Sequence, residues 1–270
     1  MSRKLLITVI RNAEALHNLQ NDWDIPDPNL TTLGVRQCAD LFDNLPEVDE
    51  NTLYVICCSP SKRSIVTTLL GTSRYLSSTP RGTIYVMQQL REVNGTFPCN
   101  IGTDLPSLER EFGKIIQPYC STPEEWKQWG RVRDYNEIHP RHLEARATAL
   151  RKTIQSFVKD DFKETTKDIH VYIVTHGEFM TYLVDDYMWR PMIPHAQIRT
   201  YEFEDSTLND SQARFKETLD SREKRSARVT SDDDHKAAKT IIDGFMVTQY
   251  NEAKRDFGVK HNILSSLDNS

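Results

Sequence analysis

Residues 5–18 read LLITVIRNAEALHN, a short apolar run that stops at Arg11-Asn12-Ala13. A run of Leu, Ile and Val with the β-branched Thr8 among them, ending in a polar turn, fits a strand covered on both faces, the usual state of a central strand in a parallel sheet. Three further runs of this kind follow, at residues 53–58, 83–87 and 169–174. Segments with helical spacing lie between them. Residues 31–45 open with a threonine cap and place Leu33, Cys38, Leu41 and Leu45 at that spacing, and residues 61–77 carry Arg63 in a first turn. Residues 143–158 return to the same period. Strands alternating with helices predict a three-layer α/β/α fold with a mainly parallel sheet. Residues 199–203 alternate apolar and polar and predict an edge strand.

The 270 residues suffice for one large domain with an insertion, and 38% hydrophobic against 27% charged residues is an ordinary globular balance. A net charge of −5 gives no general nucleic-acid surface, so any cationic site must be local. The cysteines, Cys38, Cys57, Cys58, Cys99 and Cys120, have no metal spacing and read as buried free thiols. His139 and His142, in H-P-R-H, lack cysteine or acidic partners, so neither a metal nor a cofactor is expected. The opening apolar run is too short for a signal peptide or a membrane span, which makes the cytoplasm the expected location.

The expected organisation has three parts. Residues 1–205 form the α/β domain, with residues 93–142 inserted as a lid over the site. This insertion is rich in Pro, Gly and aromatics, among them Tyr119, Trp126, Trp129 and Tyr135, which suggest an organic substrate. Residues 206–235 are charged, nearly devoid of core residues, and read as a linker. Residues 236–270 hold a C-terminal helix, over about 237–257, with Ile241, Ile242, Phe245, Met246 and Tyr250 on a face expected to pack back on the domain.

Each predicted strand is followed by a chemically useful residue: Arg11, Arg63, Glu92 and His176 in turn. In open α/β sheets, sites form outside the carboxyl ends of the strands, so these residues are expected to meet. Two arginines grip a phosphoryl group by charge-assisted hydrogen bonds, and Asn18 can donate its amide to the same oxygens. Glu92 suits protonation of a leaving oxygen and later activation of water. His176, at a helix start, suits stabilisation of the transferring group.

The ordered motifs R-x-A-E-x-x-x-N from Arg11, S-P-x-x-R from Ser59, L-R-E from Leu90 and T-H-G-E from Thr175 resemble the histidine phosphatase (phosphoglycerate mutase-like) superfamily over roughly residues 5–205. The resemblance implies phosphomonoester hydrolysis through a phosphohistidine. Arg11, Asn18, Arg63 and His176 would bind phosphate, and Glu92 would act as acid and base. That family has Arg-His-Gly or Arg-His-Ala where this chain has Arg11-Asn12-Ala13. An amide nitrogen has no available lone pair, so Asn12, at the nucleophile position, cannot attack phosphorus. The expected protein binds a phosphate or phosphorylated small molecule and is impaired in turnover. The stretch VNGTFPCNIGTDLPSLEREF is similar to a fungal branch that usually reads Cys-Asp-x-Gly, where this chain has Cys99-Asn100-Ile101-Gly102. His17 is spaced for packing in a first helical turn rather than as a replacement nucleophile. Two alternatives remain. One is a repurposed lyase, isomerase or cyclase using Glu92 and His176; the other is a non-catalytic interaction protein working through its charged C-terminal extension. Retention of Arg11, Arg63, Glu92 and His176 argues against the last.

Overall fold

The computed structural model describes residues 3–119, 126, 129, 134–188, 193–205, 209–227 and 230–267. The chain runs β1 (Leu5–Arg11), α1 (Leu16–Gln20), α2 (Thr32–Asn44), β2 (Thr52–Cys58), α3 (Lys62–Gly71) and β3 (Ile84–Val86). It continues through α4 (Leu105–Phe112), β4 (Ile116–Pro118), α5 (Pro140–Ser156), β5 (Asp168–Thr175) and α6 (Gly177–Leu183). It closes with β6 (Ile198–Phe203), β7 (Phe215–Glu217), α7 (Leu219–Lys224) and α8 (Asp232–Leu267).

The strands form one seven-stranded sheet in the order β4-β3-β2-β5-β1-β6-β7. The first five in that order are parallel, while β6 and β7 join antiparallel. Alternate strand residues face opposite sides. Ile7, Val9, Val55, Cys57, Val171 and Ile173 pack with Leu143, Leu150, Ile154 and Phe179 of α5 and α6. Ile10, Ile56, Cys58, Tyr172 and Val174 pack with Leu41 of α2 and Ile65 of α3. The doubly covered sheet is the expected three-layer fold.

Three expectations change. The strand at residues 199–203 is not an edge, because β6 is flanked by β1 and β7. The stretch read as a charged linker supplies β7 and α7. Phe203 packs on Phe215 with ring centroids 5.2 Å apart, and Arg225 bonds Glu217 across the turn at 2.8 Å. The C-terminal helix is longer than its apolar stripe, beginning at Asp232 where the acidic run suits the positive end of the helix dipole. Met246 is buried, Ile242 and Tyr250 pack against the core, and Asn94 donates to Gln249 at 3.4 Å.

In the insertion, β4 adds an edge strand beside β3. Trp126 and Trp129 are buried against α4 rather than turned to a substrate, and Trp129 donates to the Thr103 carbonyl at 2.7 Å. A Cβ on Gly102 would lie 1.8 Å from the Trp129 ring, so this contact needs the glycine. Residues 120–133, apart from these two tryptophans, lie outside the described residues, Cys120 among them. Cys38, Cys57, Cys58 and Cys99 are buried free thiols.

Candidate functional site

Strand β1 ends where the Asn12 amide donates to the Thr175 carbonyl at 2.7 Å, binding the chain ends of β1 and β5 together. That pairing sets Arg11 and Asn12 beside His176, the residue that precedes α6. Serine 59 leaves β2 hydrogen-bonded to β5, and Ser61 precedes α3, which carries Arg63 in its first turn. Arg11, Asn12, Arg63 and His176 are all buried.

Arg63 makes the densest set of contacts. Its Nη1 donates to the Cys99 carbonyl at 2.7 Å, and its Nη2 to Asn100 Oδ1 at 2.8 Å and to His176 Nδ1 at 3.2 Å. A guanidinium can only donate, so His176 Nδ1 is the accepting nitrogen and the ring proton sits on Nε2. That Nε2 donates to Ser59 Oγ at 2.8 Å. Burial, reinforced by Arg63, keeps the imidazole neutral, far below its usual titration range. Asn100 also donates from Nδ2 to the Asn94 carbonyl at 2.8 Å. An aspartate there could not make that bond.

Arg11 is held from the other side. Its guanidinium donates to the Ile193 carbonyl and to His195 Nε2, the latter at 2.8 Å, leaving Nε buried without a partner among the described residues. A Cβ on Gly177 would stand 2.9 Å from that Nε, so the glycine lets Arg11 lie against the start of α6. Burial lowers the Arg11 pKa to about 10, still protonated at neutral pH. Asn12 turns its Nδ2 onto the Ala13 carbonyl at 2.8 Å.

Glu92 follows β3, and its Oε1 accepts from the Val93 amide at 3.0 Å and the Phe179 amide at 3.1 Å. Asn18 is half-buried, and its Oδ1 accepts from the Ala15 amide at 3.1 Å as a cap on α1. The structure therefore joins β1, α3, the loop after β3 and the start of α6, while the hydrogen bond of Asn18 is local to its own helix. His139 instead caps α5 and meets Tyr250, away from this cluster.

Residues given no site role in the sequence reading lie around the cluster. His195, on the loop before β6, is the acceptor for Arg11. His17 is buried, its Nδ1 without a partner among the described residues and its ring 5.5 Å from that of Trp23. Asp27 accepts from the amides of Lys62, at 3.0 Å, and Thr103, at 2.9 Å, joining α3 to the insertion. Glu178, the last letter of T-H-G-E, is half-buried near Glu92 and Arg11.

The histidines give a prediction for stability. Burial lowers His17 to about 3 and His170 and His195 to about 4, against a usual 6.5. Between pH 6.5 and about 4 the unfolded chain binds protons that the folded chain refuses, so this stability is present above 6.5 and lost as pH falls. Urea unfolding at pH 7 and pH 4.5 is expected to show a loss of about 1 kcal/mol per histidine, less than full linkage because the rings of His170 and His195 are half-buried and partly screened by solvent. A flat profile would contradict their burial as neutral rings.

Among solved structures, this chain is similar to an ecdysone phosphate phosphatase from Bombix mori in complex with tungstate, at 14% identity over 80% of this chain and 92% of that one, TM-score 0.51. It is also similar to Bacillus stearothermophilus YhfR, at 19% identity over 84% and 98%, TM-score 0.49. A phosphoserine phosphatase mutant from Entamoeba histolytica in complex with phosphoserine matches at 14% identity over 79% and 95%, TM-score 0.44. At such identities the likeness is one of fold. No curated protein matches the chain. The sequence profile of the histidine phosphatase superfamily (branch 1) matches residues 7–212, and the chain belongs to that family.

Proposed function

We propose that the chain binds phosphate or a phosphorylated small molecule at the ends of β1, β2 and β5, and turns phosphomonoesters over poorly because Asn12 stands at the nucleophile position. The observation that carries this reading is the convergence of Arg11, Arg63 and a neutral His176 around a side chain that cannot attack phosphorus. Arg63 already holds Cys99 and Asn100. A phosphate dianion, a stronger acceptor than an amide oxygen, would take over the bond to Asn100 Oδ1. Oxyanion binding has a precedent of fold in the tungstate complex of the ecdysone phosphate phosphatase.

Calorimetry with phosphate, vanadate and tungstate is expected to show saturable binding, while a generic aryl phosphate is hydrolysed far more slowly than by a complete phosphohistidine enzyme. Rapid turnover through an acid-labile phosphoenzyme would sink this reading. His17 would then be the substitute nucleophile to test, since both nitrogens of His176 are engaged.

A second reading is acid-base chemistry on a non-phosphorylated anion by Glu92, held by the Val93 and Phe179 amides, with His176. Turnover of such a metabolite by a chain that ignores phosphate would put it first. No helix among the described residues is long and apolar enough to cross a membrane.

A further inference from the structure

The sheet face covered by α2 and α3 is apolar at Ile10, Ile56 and Val174 but turns polar toward β6. There Thr8 of β1 pairs with Thr200 of β6, and His170 of β5 lies one pair further along β1, opposite Leu6. Thr8 Oγ1 is 2.7 Å from His170 Nε2 and 3.0 Å from Thr200 Oγ1. These three side chains floor a cavity of about 710 Å³ between α2 and α7, with Leu41, Leu45, Pro46 and Ile198 among its walls. An apolar hollow of this size with a few convergent polar groups has the character of a small-molecule site. Neither Arg63, Glu92 nor His176 lines it.

The floor specifies the chemistry of a ligand. A hydroxyl has one hydrogen, so Thr8 donates to one neighbour and accepts from the other. If it donates to the neutral ring of His170, Thr200 donates to Thr8; the His170 Nδ1 proton and the Thr200 oxygen are then left over. If it donates to Thr200, His170 Nε2 donates to Thr8; the Thr200 proton and His170 Nδ1 are then left over. Both arrangements end in one donor and one acceptor, which a group that itself donates and accepts can meet. A hydroxyl is such a group. Stacking on Tyr172, with centroids 4.3 Å apart, holds the His170 ring in place. The charges around the cavity balance, Asp40 and Asp220 against Lys224 and Arg225. Lys224 already pairs with Asp220 at 2.9 Å and Arg225 with Glu217 at 2.5 Å, so an ion gains little there.

We propose that this cavity binds a neutral, mainly apolar ring compound through a hydroxyl seated on the Thr8–His170–Thr200 chain, and that its occupancy acts on Arg11 through His195. His195 also lines the cavity, while its Nε2 accepts from Arg11 Nη2 at 2.8 Å. A ligand packed at that end therefore bears on the guanidinium at the end of β1 without entering the cluster around Arg63. Binding here does not depend on the phosphate-site reading.

The probe is 2-naphthol, flat, apolar and neutral at pH 7, with naphthalene and 2-naphthalenesulfonate as controls. Methyl-labelled NMR of the natural chain is expected to show saturable shifts at Leu45 and Ile198, with 2-naphthol binding about 10-fold tighter than either control, the weight of its hydroxyl contacts. Thr200→Val should reduce 2-naphthol to the level of naphthalene. Asn44→Trp, at an exposed α2 position on the rim, fills the cavity and should abolish binding. Equal binding of 2-naphthol and naphthalene, tightest binding of the sulfonate, or binding untouched by Asn44→Trp overturns the site. So does a dimer in sedimentation that Asn44→Trp breaks, since a second copy would then be the occupant. Should Thr200→Val fail to fold, as seen by circular dichroism, Asn44→Trp and the two controls still decide. The link to Arg11 is read from its Nε–H signal, assigned by its loss in Arg11→Lys. That signal should move along the Leu45 saturation curve in the natural chain and stay fixed in His195→Leu. A signal unmoved by 2-naphthol, or moved equally without His195, overturns the link.

Discussion

Asn12→His is expected to raise kcat/KM for an aryl phosphate by about four to six orders of magnitude, by analogy with the loss caused by deleting a nucleophile elsewhere. The backbone prepares the position. Asn12 Nδ2 donates to the Ala13 carbonyl at 2.8 Å, and imidazole Nδ1 occupies nearly the same place relative to the backbone. Its proton would go to that carbonyl, which leaves the lone pair on Nε2, further out along the side chain. Around it, Arg11 and Arg63 supply fixed positive charge and His176 a neutral ring pinned by Arg63 and Ser59. Preorganised donors of this kind contribute to catalysis only when an attacking atom is present. The checks are steady-state turnover and an acid-labile phosphoenzyme trapped by quenching. A folded Asn12→His chain that binds phosphate and gains nothing across a broad substrate panel would put acid-base chemistry at Glu92 and His176 ahead.

Much of this site was legible because it lies where strands end. The apolar runs at residues 5–10, 53–58 and 169–174 became β1, β2 and β5, the central strands, whose burial on both faces leaves a strong mark in composition. The edges were harder. β7 is three residues long, and only Phe215 in it is apolar; its place depends on Phe203 and on the Arg225–Glu217 pair, partners set by tertiary structure. β4 was hidden in the same way, in a segment full of turn formers. The aromatic residues of the insertion misled for a different reason. Composition records that Trp126 and Trp129 are present, not that they close on α4 and Gly102.

The four residues that follow strands were found by position, whereas the residues that orient them were not. His195 reaches Arg11 across 184 positions, and Ser59 reaches His176 across 117. No local spacing encodes such pairs. Glu178, two residues past a site histidine, is half-buried, and no local spacing shows which neighbours its carboxyl meets. Asn100 was noticed as a departure, and its two-way bonding, from Arg63 and to Asn94, supplies a physical reason for the amide.

The second large effect is expected at Arg63. Arg63→Ala removes the donor from the Cys99 carbonyl, Asn100 Oδ1 and His176 Nδ1 at once. Leaving buried acceptors unpaired costs about 1–3 kcal/mol for each, so stability should fall by roughly 4 kcal/mol once some relaxation is allowed. Phosphate affinity should fall about 100-fold, the weight of one charge-assisted contact in a buried site. Arg63→Lys separates charge from geometry. The ammonium keeps the positive charge but is a single nitrogen, so it cannot span the Cys99 carbonyl and Asn100 Oδ1 while also reaching His176. His176 would lose the bond that fixes its Nδ1 as acceptor, and its ring would be free to exchange tautomers. Binding to Arg63→Lys should therefore be weakened at least 10-fold, closer to the alanine variant than to the natural chain. Urea unfolding and phosphate calorimetry on both variants read the two losses independently. Natural affinity in Arg63→Ala would place the anion elsewhere. Full affinity in Arg63→Lys alone would show that charge suffices and that the three-way hydrogen bonding of Arg63 serves only the fold.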